Sequence, residues 1–158
     1  MRSANVKELK QELKHLTNSE LIDICLKLSK FKKENKELLT YELFEASNEE
    51  GFIATVKSEA DELFNTINTN SYFYIKKSVR KILRMLKTNI RYSKKKETEI
   101  ELLLYFCQKL TEIRPSFKNN LVLKNIYLRE KTAIQKKLLV LHEDLQYDYN
   151  LQLSKLPL

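Results

Sequence analysis

"ETEIELLLYFCQKLTEI", residues 97–113, is the stretch whose reading decides the fold. Placed on a helical wheel, Ile100, Leu102, Leu103, Leu104, Tyr105, Phe106, Cys107 and Leu110 leave few polar positions to face water. A helix that is apolar on most sides has to be covered on most sides. The segment therefore reads as a central helix with Leu103, Leu104, Phe106 and Cys107 nearly inaccessible, and the rest of the chain has to supply its neighbours. Arg114-Pro115 ends it, because the residue before a proline is pushed out of the helical region.

The remaining sequence is suited to that task. With one Gly and two Pro in 158 residues, and with Leu, Lys and Glu dominant, the chain is poor in turn formers and rich in straight side chains. Val6, Leu9, Leu13 and Leu16 mark one face of a first helix from about Asn5 to Leu16. Thr17 and Glu20 form a capping box for a second, with Leu21, Ile24, Leu28 and Phe31 as its stripe. A third helix spans about Glu34 to Ala46. Ser47 opens another capping box, "SNEE", before a fourth that carries Phe52, Ile53, Val56, Ala60, Leu63, Phe64 and Ile67. Gly51 lies in its first turn, where glycine costs less than it would mid-helix. "NTNS" at 68–71 is a polar break, with Ser71 as the cap of a fifth helix that runs to about Tyr92.

From about 117 the pattern is helical almost to the end, as one helix or as two broken near Lys131-Thr132; Ile134, Leu138, Leu141 and Leu145 step by four, three and four. Short connections favour antiparallel neighbours. The expectation is one all-α domain over residues 1–158, a compact antiparallel bundle of about six to eight helices stacked as hairpins. No stretch approaches the roughly 18 apolar residues of a membrane span, and the N-terminus has no apolar core of a signal peptide, so the cytoplasm is the expected location.

Catalytic chemistry finds little support. A single glycine excludes the glycine-rich loops that cradle phosphates. Glu12 and His15 stand one turn apart, the spacing of carboxylate-bridged metal sites in bundles, but no second copy accompanies them. His142, Glu143 and Asp144 are consecutive and so point in different directions on a helix. Cys25 and Cys107 both fall on expected core faces, where a thiol stays protonated and inert. No enzyme, metal or cofactor is expected.

The positive signal is charge. Lys76, Lys77, Arg80, Lys81, Arg84, Lys87, Arg91, Lys94, Lys95 and Lys96 occur between residues 76 and 96 without one Asp or Glu. These ten exceed the formal charge of +8, since the other residues hold 19 Lys and Arg against 21 Asp and Glu. On the fifth helix the cations span about 140°, while Tyr72, Ile75, Val79, Ile82, Leu83, Leu86 and Ile90 occupy a separate arc of about 100°. Like charges at such spacing repel by a few tenths of a kcal/mol per pair, so nothing about helix formation calls for them. Phe73 projects into the cationic arc and Tyr74 and Tyr92 flank its edge, a mixture that suits single-stranded nucleic acid. Alternatively, acidic residues of the same chain cover the arc, with Glu49, Glu50, Glu59, Asp61, Glu62, Glu143, Asp144 and Asp148 as candidates, or it is plain solvated surface. Lys77, Arg80, Arg84 and Lys87 are expected to make no packing contacts.

The stretches "SVRKILRMLKTNIRYSKKKETEIELLLYFC" and "LTNSELIDICLKLSKFKKENKELLTYELF" resemble a family of small bacterial, Bacteroidetes-type proteins of unknown function. That resemblance implies an all-helical cytoplasmic protein and no catalytic residues. The opening "VKELKQELKHLTNSELIDICLKL" also resembles the helix-extended-helix DNA-binding module called SAP, but lacks the glycine between helices that such modules use. The function expected is that of a non-enzymatic interaction domain presenting its basic helix to an acidic protein or to nucleic acid. The alternative is a structural protein that self-associates, its basic face only solvated, for which a C-terminal segment not folded back on its own domain, with Ile134, Leu138, Leu141, Leu145, Leu151, Leu153, Leu156 and Leu158, would supply the apolar surface.

Overall fold

The computed structural model describes residues 1–158, and its regular structure is helical throughout. Eight α-helices follow one another: α1 (Val6–Leu13), α2 (Asn18–Phe31), α3 (Lys33–Thr40), α4 (Glu49–Asn65), α5 (Tyr72–Ser93), α6 (Lys96–Glu112), α7 (Leu121–Leu138) and α8 (Glu143–Ser154). A π-turn at Tyr41–Glu45 follows α3, and a 3-10 turn at Phe117–Asn119 precedes α7. The chain forms two compact units, Met1–Phe44 and Glu45–Leu158.

In the first unit α2 packs against α3, and local chemistry sets the helix starts. Asn5 Oδ1 accepts from Glu8 N at 2.9 Å while Asn5 N donates to Glu8 Oε2 at 2.8 Å, a capping box the sequence reading passed over. The expected Thr17–Glu20 box closes the same way, with Thr17 N donating to Glu20 Oε2 at 2.8 Å; these bonds favour the charged Glu20 carboxylate and hold it below its usual range. Cys25 is exposed rather than set in a core. The apolar stripe of α2 is real, but its flanks have no cover, so the position of a thiol on that stripe does not bury it.

The second unit is built around α6, which packs against α4, α5, α7 and α8. Leu102, Leu103, Leu104, Phe106, Cys107 and Leu110 are all buried, as the near-continuous apolar surface of this helix demands. Phe117 and Tyr127 meet at a centroid separation of 4.6 Å at one end of this core. At the start of α4 the cap is Asn48 and not Ser47: Gly51 N donates to Asn48 Oδ1 at 3.1 Å. A Cβ at position 51 would lie 2.4 Å from Asn48 Nδ2, so the chain's one glycine makes room for this cap. Ser71 occupies the cap position of α5 but its side chain makes no capping bond. Lys94, in the left-handed region at φ 57°, ends α5 and lets the chain turn directly into α6.

The C-terminal region is two helices, and the break falls at 139–142 rather than near Lys131-Thr132. Its tail folds back: Leu153 and Leu156 are buried, and Tyr127 Oη donates to Pro157 O at 2.6 Å. The condition under which this segment was expected to drive self-association, a tail left free of its own domain, is therefore not met.

Candidate functional site

The basic helix α5 owes its orientation to its apolar arc. Ile75, Val79, Ile82, Leu83 and Leu86 are buried, and Tyr72 is anchored by a bond from its hydroxyl to Ser116 O at 2.8 Å. With that arc committed to the core, Lys77, Arg80, Lys81, Arg84, Lys87 and Arg91 are exposed, as are Lys94, Lys95 and Lys96 beyond the helix end; Lys76 is half-buried.

Acidic cover reaches only the margins. Lys87 Nζ lies 2.9 Å from Glu130 Oε2, and Lys95 Nζ lies 3.1 Å from Glu49 Oε2. Lys76, Lys77, Arg80, Lys81, Arg84, Arg91, Lys94 and Lys96 form no ion pair with the chain. Of the acidic residues anticipated as a cover, Glu49 alone reaches a cation of the 76–96 stretch. It also accepts from Thr98 Oγ1 at 2.5 Å and from the Ser93 hydroxyl, which pins the start of α4 to the α5–α6 turn. Asp61 instead pairs with Lys109 at 2.8 Å, and that hydrogen bond holds its carboxyl below the usual range.

Glu130 was not foreseen. It is 1% exposed, and its Oε1 accepts from both Lys87 Nζ and Arg129 Nε at 2.9 Å. A buried carboxylate has to be compensated, and here one cation from α5 and one from α7 do so. Lys87 therefore has a structural task, contrary to the expectation that it packs against nothing. Arg129, itself exposed, carries positive charge from α5 onto the neighbouring helix. The signal was in the sequence: Ile126, Glu130 and Ile134 step by four, which sets an acid within a buried stripe.

The aromatics divide. Tyr92 is only 7% exposed and is no part of the surface, a correction to its expected place at the edge of the arc. Phe73 and Tyr74 are 68% and 46% exposed, and their rings meet edge to face with centroids 5.4 Å apart.

Elsewhere the residues with catalytic potential stand apart. His15 and Glu12 are exposed in the first unit; His142 is exposed beside Asp144 in the second. Cys107 is buried, and burial pushes its thiol up to about 12, so at neutral pH it is not a nucleophile. No three His, Cys, Asp or Glu side chains come together in a way that could hold a metal ion, and no helix is long and apolar enough to cross a membrane. Comparison with protein-family models, with curated proteins and with solved structures finds no match to this chain.

Proposed function

We propose that this chain is a non-enzymatic binding module whose second unit presents the basic face of α5 to a polyanionic partner. One observation carries the reading: eight cations between residues 76 and 96 have no ion pair, with no acid among them in the sequence, whereas elsewhere in the same unit paired lysines alternate with unpaired ones such as Lys118, Lys124, Lys136 and Lys155. Lys57 pairs with Glu101, Lys109 with Asp61 and Lys137 with Glu99 at 3.0, 2.8 and 2.9 Å. A surface arranged for stability or solubility alone would intersperse the two signs, as those pairs do. Concentrated positive charge whose internal counter-charge is confined to Lys87 and Lys95 instead lowers the free energy of an approaching anion and speeds its association. A cytoplasmic location is part of this reading, and two free thiols, which suit a reducing compartment, support it.

Heparin, titrated at two salt concentrations, tests the reading. Binding should weaken steeply as salt rises, because each anionic group neutralised releases counterions. Replacing Lys77, Arg80, Lys81 and Arg84 by Gln should abolish it with the thermal melt unchanged. Lys87 is left in place because its loss would expose the Glu130 charge. Failure to bind at low salt, or binding that survives the replacements, would overturn the proposal.

Self-association is a second reading, favoured by a different observation. In the first unit Ile22, Leu28, Phe31, Leu43 and Phe44 are all exposed, more apolar surface than a helical hairpin ordinarily leaves in water. Sedimentation equilibrium over a hundredfold range of concentration decides it; a constant monomer mass would remove this reading.

A further inference from the structure

We infer that the polyanion is a single-stranded nucleic acid, gripped through its phosphates by the unpaired cations of α5 and through its bases by Phe73 and Tyr74. The inference rests on the proposed binding role of the basic face and adds the chemistry of the partner.

The rings and the cations belong to one stripe. Positions 73, 80, 84 and 91 fall within about 20° of a common line along the helix at 3.6 residues per turn. Phe73 thus stands two turns ahead of Arg80 on the same side, and Arg84 and Arg91 continue the line. At 1.5 Å per residue the stripe from Phe73 to Arg91 is about 27 Å long. Tyr74 lies at the edge nearest Lys77 and Lys81. Neither ring is needed by the core, which α5 fills with Ile75, Val79, Ile82, Leu83 and Leu86. The rings stand 80° apart, so their faces open in different directions and two bases can stack without competing for one surface.

This combination separates the possible polyanions. A sulfated or phosphorylated chain without bases needs the cations and gains nothing from the rings. A duplex offers its phosphates but keeps its base faces stacked inside. An acidic peptide meets the lysines and arginines but has no flat π-face of its own to set on the rings. Single strands supply a phosphate line together with free base faces, and stacking of this kind is tolerant of sequence. The three arginines add planar guanidinium groups, which hold phosphate in a forked geometry and stack on bases.

The experiment compares four probes on the full chain by fluorescence anisotropy in low salt: a labelled 20-nucleotide thymidine strand, a 20-base-pair duplex, labelled heparin and labelled polyglutamate. The expected result is tighter binding of the single strand than of the duplex or polyglutamate. Phe73→Ala with Tyr74→Ala should weaken the single strand by at least fivefold and leave heparin within twofold. Both side chains are exposed, so the melt should not move, and Tyr74→Phe should restore part of the loss. If heparin and the strand both bind but the ring replacements change neither, or if duplex or polyglutamate binds as tightly as the strand, this inference is wrong while the basic-face reading stands. If none of the four probes binds, the basic-face reading fails and takes this one with it.

Discussion

The two units of this protein follow the same helical periodicity and end with opposite burial. Glu45–Leu158 holds 26 of the 27 buried hydrophobic residues, whereas Met1–Phe44 holds one, Tyr41. Leu9 and Leu13 in α1, and Ile24, Leu28 and Phe31 in α2, are spaced as regularly as the buried positions of α5, and all are exposed. What differs is the supply of neighbours. In the second unit α6 is met by four other helices, while in the first α2 is met by α3. A stripe states which residues share a face; burial requires another face to lie against it. A 44-residue unit with so little interior is near the size below which a hydrophobic core alone stops supporting a fold.

The sharpest way to break this contrast is to cut one ring from each unit. Phe106, fully buried in α6, should cost about 3–5 kcal/mol when replaced by Ala, through lost transfer energy and the cavity left behind. Phe31 in α2 is 79% exposed, and the same replacement should cost less than about 0.5 kcal/mol. Urea unfolding followed by circular dichroism measures both. A large loss for Phe31→Ala would mean that its face is covered in solution, which would strengthen the self-association reading.

Next in size is a contrast between two lysines on α5. Lys87→Gln leaves the Glu130 carboxylate, 1% exposed, with Arg129 as its remaining cation and should cost about 1–3 kcal/mol. Lys77→Gln removes a cation without an ion pair and should change stability by less than about 0.5 kcal/mol. In heparin affinity the order should reverse, with Lys77→Gln the more damaging. Equal stability losses would show that the two cations do not differ in the way their surroundings suggest.

These pairs also mark what was legible in the sequence and why. The position of α6 was readable because a helix apolar on most sides has to be covered on most sides. The Thr17–Glu20 box was readable because its bonds span three residues. The start of α4 was misplaced by one residue because Ser47 and Asn48 are both good caps, and the room that Gly51 leaves for Asn48 is visible only in three dimensions. The cationic arc was readable as a pattern, but its internal counter-charge was not. Glu130 lies 43 positions from Lys87, and a lone acid in an apolar stripe looks like an interruption until its partner is known. Tyr74 and Tyr92 share an angular position on α5, yet one is exposed and the other buried, because what covers a helix varies along its length. Periodicity carries no information about that.

A smaller effect tests whether the C-terminal tail belongs to the second unit's core. Tyr127 is fully buried, its hydroxyl bonds Pro157 O at 2.6 Å, and Lys131 Nζ reaches Leu156 O at 3.3 Å. Tyr127→Phe keeps the ring against Phe117 and removes the hydroxyl, so the loss should be about 0.5–1.5 kcal/mol. Hydrogen exchange in residues 150–158 should rise in the variant while that of α6 stays unchanged. An unaltered tail would show that the apolar contacts of Leu153 and Leu156 hold it without the hydroxyl.

The two cysteines give the finest probe of the comparison, since their reaction rates read cover directly. Cys25 belongs to the unit with almost no interior and Cys107 to the helix with the most complete cover. Thiol reagents attack the thiolate, so rate depends on access and on the ease of deprotonation. Cys107 is deficient in both: it is fully buried, and burial pushes its thiol up to about 12, with the charge of Glu130 acting in the same direction. Under native conditions a disulfide-exchange reagent should therefore modify one thiol per chain promptly and the second only as fast as the second unit opens. Cys25→Ser should remove the fast phase and Cys107→Ser the slow one. Because the slow phase follows opening of the unit, Phe106→Ala should speed it while leaving the fast phase alone. Two fast thiols would mean that α6 is not sealed, and two slow ones would mean that the face of α2 carrying Cys25 has acquired a cover, the outcome that a second copy of the chain would produce.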